Sequence, residues 1–222
     1  RVPFISGKDS LYNEFRKVDG GSLPIPPTLL ISAVSVISDV SRTVTPRFCR
    51  PDSFVYVVGS TYEELGGSEY LRLNQGLGRT VPRVDARRGR RLMRALGRAI
   101  RSGLVAACHD VSDGGLGVAL AEMAIAAGFG LQVALHRVPG AHRFRRDDFL
   151  LFSESNTRFV CEVPLACRSA FERQLRGIAC APVGRTTAEP WFTITGLSGR
   201  RVVCVDVADA CRVWREGLSR LL

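Results

Sequence analysis

The sequence predicts an α/β protein: an incomplete N-terminal sheet subdomain, followed by a domain of mixed sheet with flanking helices. Three observations carry this prediction. From about residue 51 onward, short apolar runs of strand length alternate with segments of helical period. Residues 104–128 read as strand, acidic turn, paired glycines and helix. Residues 1–51, in contrast, hold two strand-like runs and loops, too little to close a sheet alone.

Composition bounds the rest. A chain of 222 residues, 45% hydrophobic, is long enough for one large domain or two small ones with a sizeable core. No apolar run reaches ~18 residues, so no membrane span is expected. The start does not resemble a signal peptide. It opens on Arg1 inside an apparent strand, and we read the chain as a piece of a longer polypeptide.

The formal charge is +10, almost all from arginine, since the only lysines are Lys8 and Lys17. A basic balance raises nucleic acid as a partner. The dense cluster Arg87, Arg88, Arg90, Arg91, Arg94 and Arg98 lies on a helix expected over 86–102, with apolar side Leu92, Leu96, Ala99 and Ile100. No aromatic residues interleave with these arginines, so they read as a solvated helix face, and no nucleic acid is expected. The seven cysteines include no C-x-x-C pair. Buried reduced thiols, Cys161 and Cys204 among them, and a cytoplasmic location are expected; a thiolate zinc site is not.

In chain order, residues 2–5 read as a strand leading into Gly7-Lys8-Asp9-Ser10. That turn fails the Walker A pattern, with Val2 at the first glycine position and Asp9 at the Ser/Thr position. It can still touch phosphate through Gly7, Lys8 and Ser10, while Asp9 can hold a metal. The apolar run 29–37 reads as a central strand. The second unit starts with a strand at 54–59, then Glu64-Leu65-Gly66-Gly67-Ser68-Glu69-Tyr70 and a short helix at 69–74. After the arginine helix, 104–108 reads as a buried strand. The turn His109-Asp110-Val111-Ser112-Asp113-Gly114-Gly115 follows, then a helix to about Gly128 with Leu116, Leu120, Met123 and Ala127 on one face. Ser112 or Asp113 can cap that helix, Asp110 can hold a cation, and the helix start can offer N–H groups to phosphate. Gly114 and Gly115 allow backbone, or a ligand, to approach closely.

Further strands are expected at 131–135, 159–163, 181–185, 191–196 and 201–205, with a basic loop at 136–146. A helix opens at Pro164 and ends near Gly177. The last helix, 208–221, is expected to dock through Val213, Trp214, Leu218 and Leu221. The polar turn Ser153-Glu154-Ser155-Asn156-Thr157-Arg158 carries groups that bind a hydroxylated or phosphorylated ligand.

Four stretches together resemble the phosphoribosylformylglycinamidine synthase family, also called formylglycinamide ribonucleotide amidotransferase. They are residues 5–14, 64–70, 109–123 and 152–159, in the order and spacing of the C-terminal half of the small-type synthetase subunit. The resemblance implies an aminoimidazole ribonucleotide synthetase-like architecture. Residues 1–51 would be the end of an N-terminal domain and 52–222 the C-terminal domain. It implies an ATP- and Mg²⁺-dependent ligase that uses glutamine-derived ammonia to convert formylglycinamide ribonucleotide to the amidine in purine biosynthesis. By motif, Gly7 and Lys8 would contact ATP and Ser10 the substrate. Lys8 stands where many relatives carry a metal-binding Asn; by the resemblance, either Lys8 substitutes a direct phosphate contact or Asp9 takes over the metal. Asp110 would bind Mg²⁺ and Ser112 a nucleotide, ATP or ADP, in an auxiliary pocket formed with Gly114, Gly115, Glu154, Ser155 and Asn156.

The family's catalytic histidine belongs to the other half, so His109 is expected to pack rather than act as a base, and the isolated chain to be inactive. The implied partners are the N-terminal half, a glutaminase subunit and a small accessory subunit. The alternative is a non-catalytic structural nucleotide-binding half, or a scaffold module that binds none, of the same superfamily.

Overall fold

In the sequence Phe-Val-Tyr-Val-Val of β3 (Phe54–Val58), all five residues are buried. An uninterrupted apolar run of this kind suits a strand covered on both faces. The computed structural model, which describes residues 3–5, 7, 13–26 and 29–217, places it third in a seven-stranded sheet. The other strands are β4 (Ala107–Asp110), β5 (Leu131–Ala134), β6 (Phe159–Val163), β7 (Cys180–Thr186), β8 (Trp191–Thr195) and β9 (Arg201–Asp206). The order is β4-β6-β3-β7-β5-β8-β9. Neighbours pair antiparallel except β5 and β8, which run parallel, so the sheet is mixed as expected.

Alternation along β3 sends its side chains into two cores. Val55 and Val57 join Leu116, Leu120 and Met123 of α3 (Gly115–Ala127) and Leu150 and Leu151 of α4 (Asp147–Phe152). Phe54, Tyr56 and Val58 join Leu92, Leu96 and Ala99 of α2 (Ala86–Arg101) and Phe171 of α5 (Arg168–Gln174). The helices therefore flank the sheet on both faces. A short α1 (Glu69–Leu73) and a final α6 (Val207–Glu216) complete the set. Among the described residues, no helix is long and apolar enough to cross a membrane.

The chain divides into two compact units, residues 1–38 and 39–222. In the first, β1 (Glu14–Arg16) and β2 (Ser22–Pro24) form a hairpin. Residues 39–53 belong with the second. Phe48 is fully buried in its core, and the buried Glu162 carboxylate accepts from Cys49 N at 2.6 Å and Ser53 Oγ at 2.8 Å.

Several expectations are corrected. Residues 29–37 form no strand: Leu29, Ile31 and Val36 are exposed, and among the described residues no neighbouring strand completes a ladder there. Residues 3–5 are likewise irregular, and Val2 lies outside the described residues. The strand expected at 104–108 begins only at Ala107, because Leu104 N–H still closes onto Ala99 O of α2 at 3.1 Å. That shift makes Asp110 the last strand residue. Residues 149–152, to which the sequence assigned no element, fall within α4, where Asp147 and Asp148 favour the first turn. The loop at 136–146 contains two 3₁₀ turns. Helix α6 does not dock through Val213 and Trp214, which are exposed; Val207 is its buried residue, and Leu218 and Leu221 lie outside the described residues. All seven cysteines are free thiols, but Cys204 is exposed, not buried.

Candidate functional site

Two loops meet beyond the paired ends of β4 and β6. Asp110 lies opposite Phe159, and the pairing continues through Val111 N–H, which donates to Arg158 O at 2.9 Å. One chain then turns through Ser112, Asp113 and Gly114 into α3; the other arrives from α4 through residues 153–158. Gly114 and Gly115 take φ of +78° and +68°. A Cβ on Gly115 would stand 2.7 Å from the carbonyl oxygens of Leu151 and Ser153. The glycine pair is thus required for backbone to pass backbone.

The cap is also a correction. Neither Ser112 nor Asp113 caps α3; the capping position is Gly114, which has no side chain to supply an acceptor. Instead Glu154 Oε1 accepts from Gly114 N at 2.8 Å and from Glu69 N of α1 at 3.0 Å. One carboxylate thereby serves the starts of two helices, where negative charge is favourable.

Arg158 holds this loop from inside. Its guanidinium, buried to 1% exposure, donates to Ser155 O at 2.9 Å, Ser153 O at 2.5 Å and Thr61 Oγ1 at 3.1 Å. Burial pushes its pKa down to about 10, opposed by the carboxylates of Glu64 and Glu154, so it remains charged at neutral pH. The Ser155 hydroxyl is buried as well, accepting from Tyr62 N at 3.1 Å and donating to Tyr62 O at 3.2 Å. Between these anchors Asn156 is exposed and Thr157 sits at φ +60°, where a β-branched residue is strained.

The two sides of the Asn156–Thr157 turn open into separate hollows. One, of about 320 Å³, is lined by Asp110, Ser112, Asp113, Glu154, Asn156 and Arg158 among others. The other, of about 540 Å³, is lined in part by Ser60, Tyr62, Glu64, Arg83 and Arg88. There Arg88 binds the Tyr62 hydroxyl and donates to Ser60 Oγ at 2.6 Å, while Arg143 covers the Tyr62 ring at 4.9 Å. His109 stands between two carboxylates, with Nε2 3.1 Å from Glu122 Oε2 and Nδ1 3.3 Å from Asp110 Oδ1.

Of the residues singled out from sequence, Asp110, Ser112, Gly114, Gly115, Glu154 and Asn156 come together here. Ser155 is beside them but turned inward. Gly7 is exposed in the first unit, and Lys8, Asp9 and Ser10 lie outside the described residues. Sequence reasoning did not single out Tyr62 and Arg83. It placed Thr157 in the polar turn and Arg88 on a solvated helix face, whereas Arg88 turns in to Tyr62 and Ser60, and the strained backbone at Thr157 has no sequence signature. Arg158 lies in the polar turn the sequence marks, but its burial is a tertiary property.

Among the described residues, no three His, Cys, Asp or Glu side chains group to hold a metal. The donor set at the acidic turn suits Mg²⁺ in a narrower sense. The Asp110 carboxylate is 63% exposed and stands among hydroxyl and amide oxygens. Magnesium commonly takes one or two carboxylates and completes its shell with phosphate and water.

Comparison with known proteins agrees with this architecture. The chain is 32% identical over 225 residues to phosphoribosylformylglycinamidine synthase subunit PurL of Moorella thermoacetica, and 37% identical over 238 residues to that of Symbiobacterium thermophilum. Those alignments take in 100% and 99% of this chain but 29% of each relative, so the chain spans under a third of their length. The solved structure of Thermotoga maritima PurL complexed with FGAR matches with a TM-score of 0.68 and 21% identity, over 78% of this chain and 30% of that one. E. coli HypE, a hydrogenase maturation protein, matches with a TM-score of 0.55 and 19% identity, over 74% of this chain and 52% of that one. At such identities these two likenesses speak to the fold. The family model described as AIR synthase related protein, C-terminal domain, matches residues 50–196, and the chain belongs to that family.

Proposed function

We propose that this chain is a nucleotide-binding part of a phosphoribosylformylglycinamidine synthase, the ATP- and glutamine-dependent ligase that converts formylglycinamide ribonucleotide to its amidine. The observation that carries the reading is the acidic turn with its paired glycines, set against the 153–158 loop beside the 320 Å³ hollow. Alignment with PurL subunits along the whole chain supports it.

In this reading Asp110 is a Mg²⁺ ligand and Ser112 donates its hydroxyl to a phosphate of ATP or ADP. Gly114, Gly115 and Glu154 fix the loop geometry, Ser155 pins it from within, and Asn156 faces the ligand. Bound Mg²⁺ would neutralise phosphate charge. His109 keeps the Asp110 carboxylate aimed, and none of these groups is a general base. In the first unit, Gly7 and Lys8 contact ATP, Ser10 contacts substrate and Asp9 is available to metal. Catalysis then requires an N-terminal half, a glutaminase subunit and a small accessory subunit, in the cytoplasm. Solved neighbours include T. maritima PurL with ATP, with ADP, and a PurLQS structure, which supports both nucleotide and partners.

That no three metal-binding side chains group among the described residues favours a second reading, a structural half or scaffold that binds no nucleotide. Calorimetric titration of ADP with Mg²⁺ into wild type and Asp110→Ala separates the two. The first reading expects saturable, Mg²⁺-dependent binding that weakens at least roughly tenfold in the variant, the scale of losing one charged contact. Absence of binding in both proteins supports the second. Glutamine- or ammonia-dependent product formation by these 222 residues alone would overturn the need for another half.

A further inference from the structure

The β4–β6 ladder places two thiols face to face. Cys108 and Cys161 are directly opposed in register, and their Sγ atoms are 3.7 Å apart. Cys108 N–H donates away from β6, to Thr45 O at 3.0 Å, whereas Val111, three residues on, donates to Arg158 O. This alternation makes Cys108–Cys161 the non-hydrogen-bonded kind of pair, whose Cα atoms approach to about 4.5 Å. That is inside the ~4.4–6.8 Å range that a disulfide spans. Cys108 is half-buried on an edge strand, so a small oxidant reaches it; Cys161 is fully buried behind it.

We propose that Cys108 and Cys161 form a reversible modification site, in which hydrogen peroxide converts the thiol pair to a cross-strand disulfide. The Cys108 sulfur attacks one peroxide oxygen, the O–O bond breaks, and the departing hydroxide takes the Cys108 thiol proton and leaves as water, with Cys108 now a sulfenic acid. The Cys161 sulfur then bonds to the Cys108 sulfur, the S–O bond breaks, and the hydroxyl departs with the Cys161 proton as a second water. Two thiols give up two electrons and one peroxide becomes two waters. The new bond sits two residues before Asp110 and three after Arg158, so it staples the two loops of the candidate site at their base. This does not depend on what ligand that site takes.

The test is peptide mapping of the intact chain after stoichiometric hydrogen peroxide, alkylation of remaining thiols and digestion. A linked pair of peptides carrying Cys108 and Cys161, two hydrogens lighter and released by dithiothreitol, is expected. It disappears in Cys108→Ser and in Cys161→Ser and persists in Cys49→Ser. Amide exchange at Val111 slows by roughly tenfold in the oxidised protein, since the staple suppresses local opening. Cys108 advancing to sulfinic acid while Cys161 is still alkylated, Cys161 linked to a different cysteine, or both thiols unchanged would each overturn the proposal. The wild-type map decides this whether or not the variants fold.

Discussion

Gly115 and Gly103 have nearly the same left-handed backbone, with φ of +68° and +69°, but different surroundings. A Cβ on Gly103 meets nothing within 4 Å; one on Gly115 runs into three backbone atoms of residues 151–153 at 2.7 to 2.8 Å. Gly103→Ala should therefore cost only the backbone penalty, about 1 kcal/mol. Gly115→Ala should cost about 3 kcal/mol or more, because backbone cannot yield as a flexible side chain does. Urea unfolding of the two variants checks the difference, and equal losses would refute the role given to the glycine pair. At this scale the sequence was informative where chemistry is local. Asp110, the glycines and the polar turn were legible as candidates, because acidic, glycine and hydroxyl residues gather there within a few positions of one another. The capping role of Glu154 was not legible, because its donors lie 40 and 85 residues away.

Elements were read well wherever burial and period agreed. β6 falls on its expected residues, and α2 and α3 end within a residue of theirs. Residues 29–37 failed because apolarity identifies a strand only when a neighbour supplies the ladder. The last helix forms, but its docking face does not follow from composition, because the bulky apolar Val213 and Trp214 lie on its exposed side. One inter-element contact yields a pH prediction. Asp148 at the start of α4 is bonded by Arg146 at 2.5 Å and by the Tyr70 hydroxyl of α1 at 2.5 Å, while Tyr70 stacks on Phe152. Chiefly through the Arg146 bond, its pKa falls to about 2 from an ordinary 3.8. A carboxylate with a depressed folded pKa adds stability that is complete above its unfolded value and fades as pH drops toward the folded one. Asp148→Asn should therefore lose about 1 kcal/mol near neutrality, after allowance for solvent screening. The gap to wild type should close between pH 4 and pH 2, the two pKa values bounding the window. Thermal melts at stepped pH check this, and a gap constant with pH would refute it.

For the molecule as a whole, the second unit has two cores, one on each face of its sheet, while the first presents Leu29, Leu30, Ile31, Val34 and Val36 to solvent. Several large apolar side chains exposed on one short segment favour association with whatever covers them. Sedimentation velocity over a hundredfold concentration range should show self-association of the chain, reduced in Ile31→Lys/Val34→Lys. A monomer at every concentration would count against it. The mixed sheet and its flanking helices followed from pattern, whereas the division at residues 38 and 39 did not, since Phe48 and Glu162 tie in a segment with no distinguishing composition. The double duty of Glu154 bears on any anion that visits this protein. The Gly114 and Glu69 amides already have a resident, so an anion reaches those two N–H groups only by eviction. Displacing that single carboxylate would open both amides together, while Ser68 Oγ still caps α1 through Leu71 N. Arrival of a ligand at one would thus be felt at the other without any wire between them.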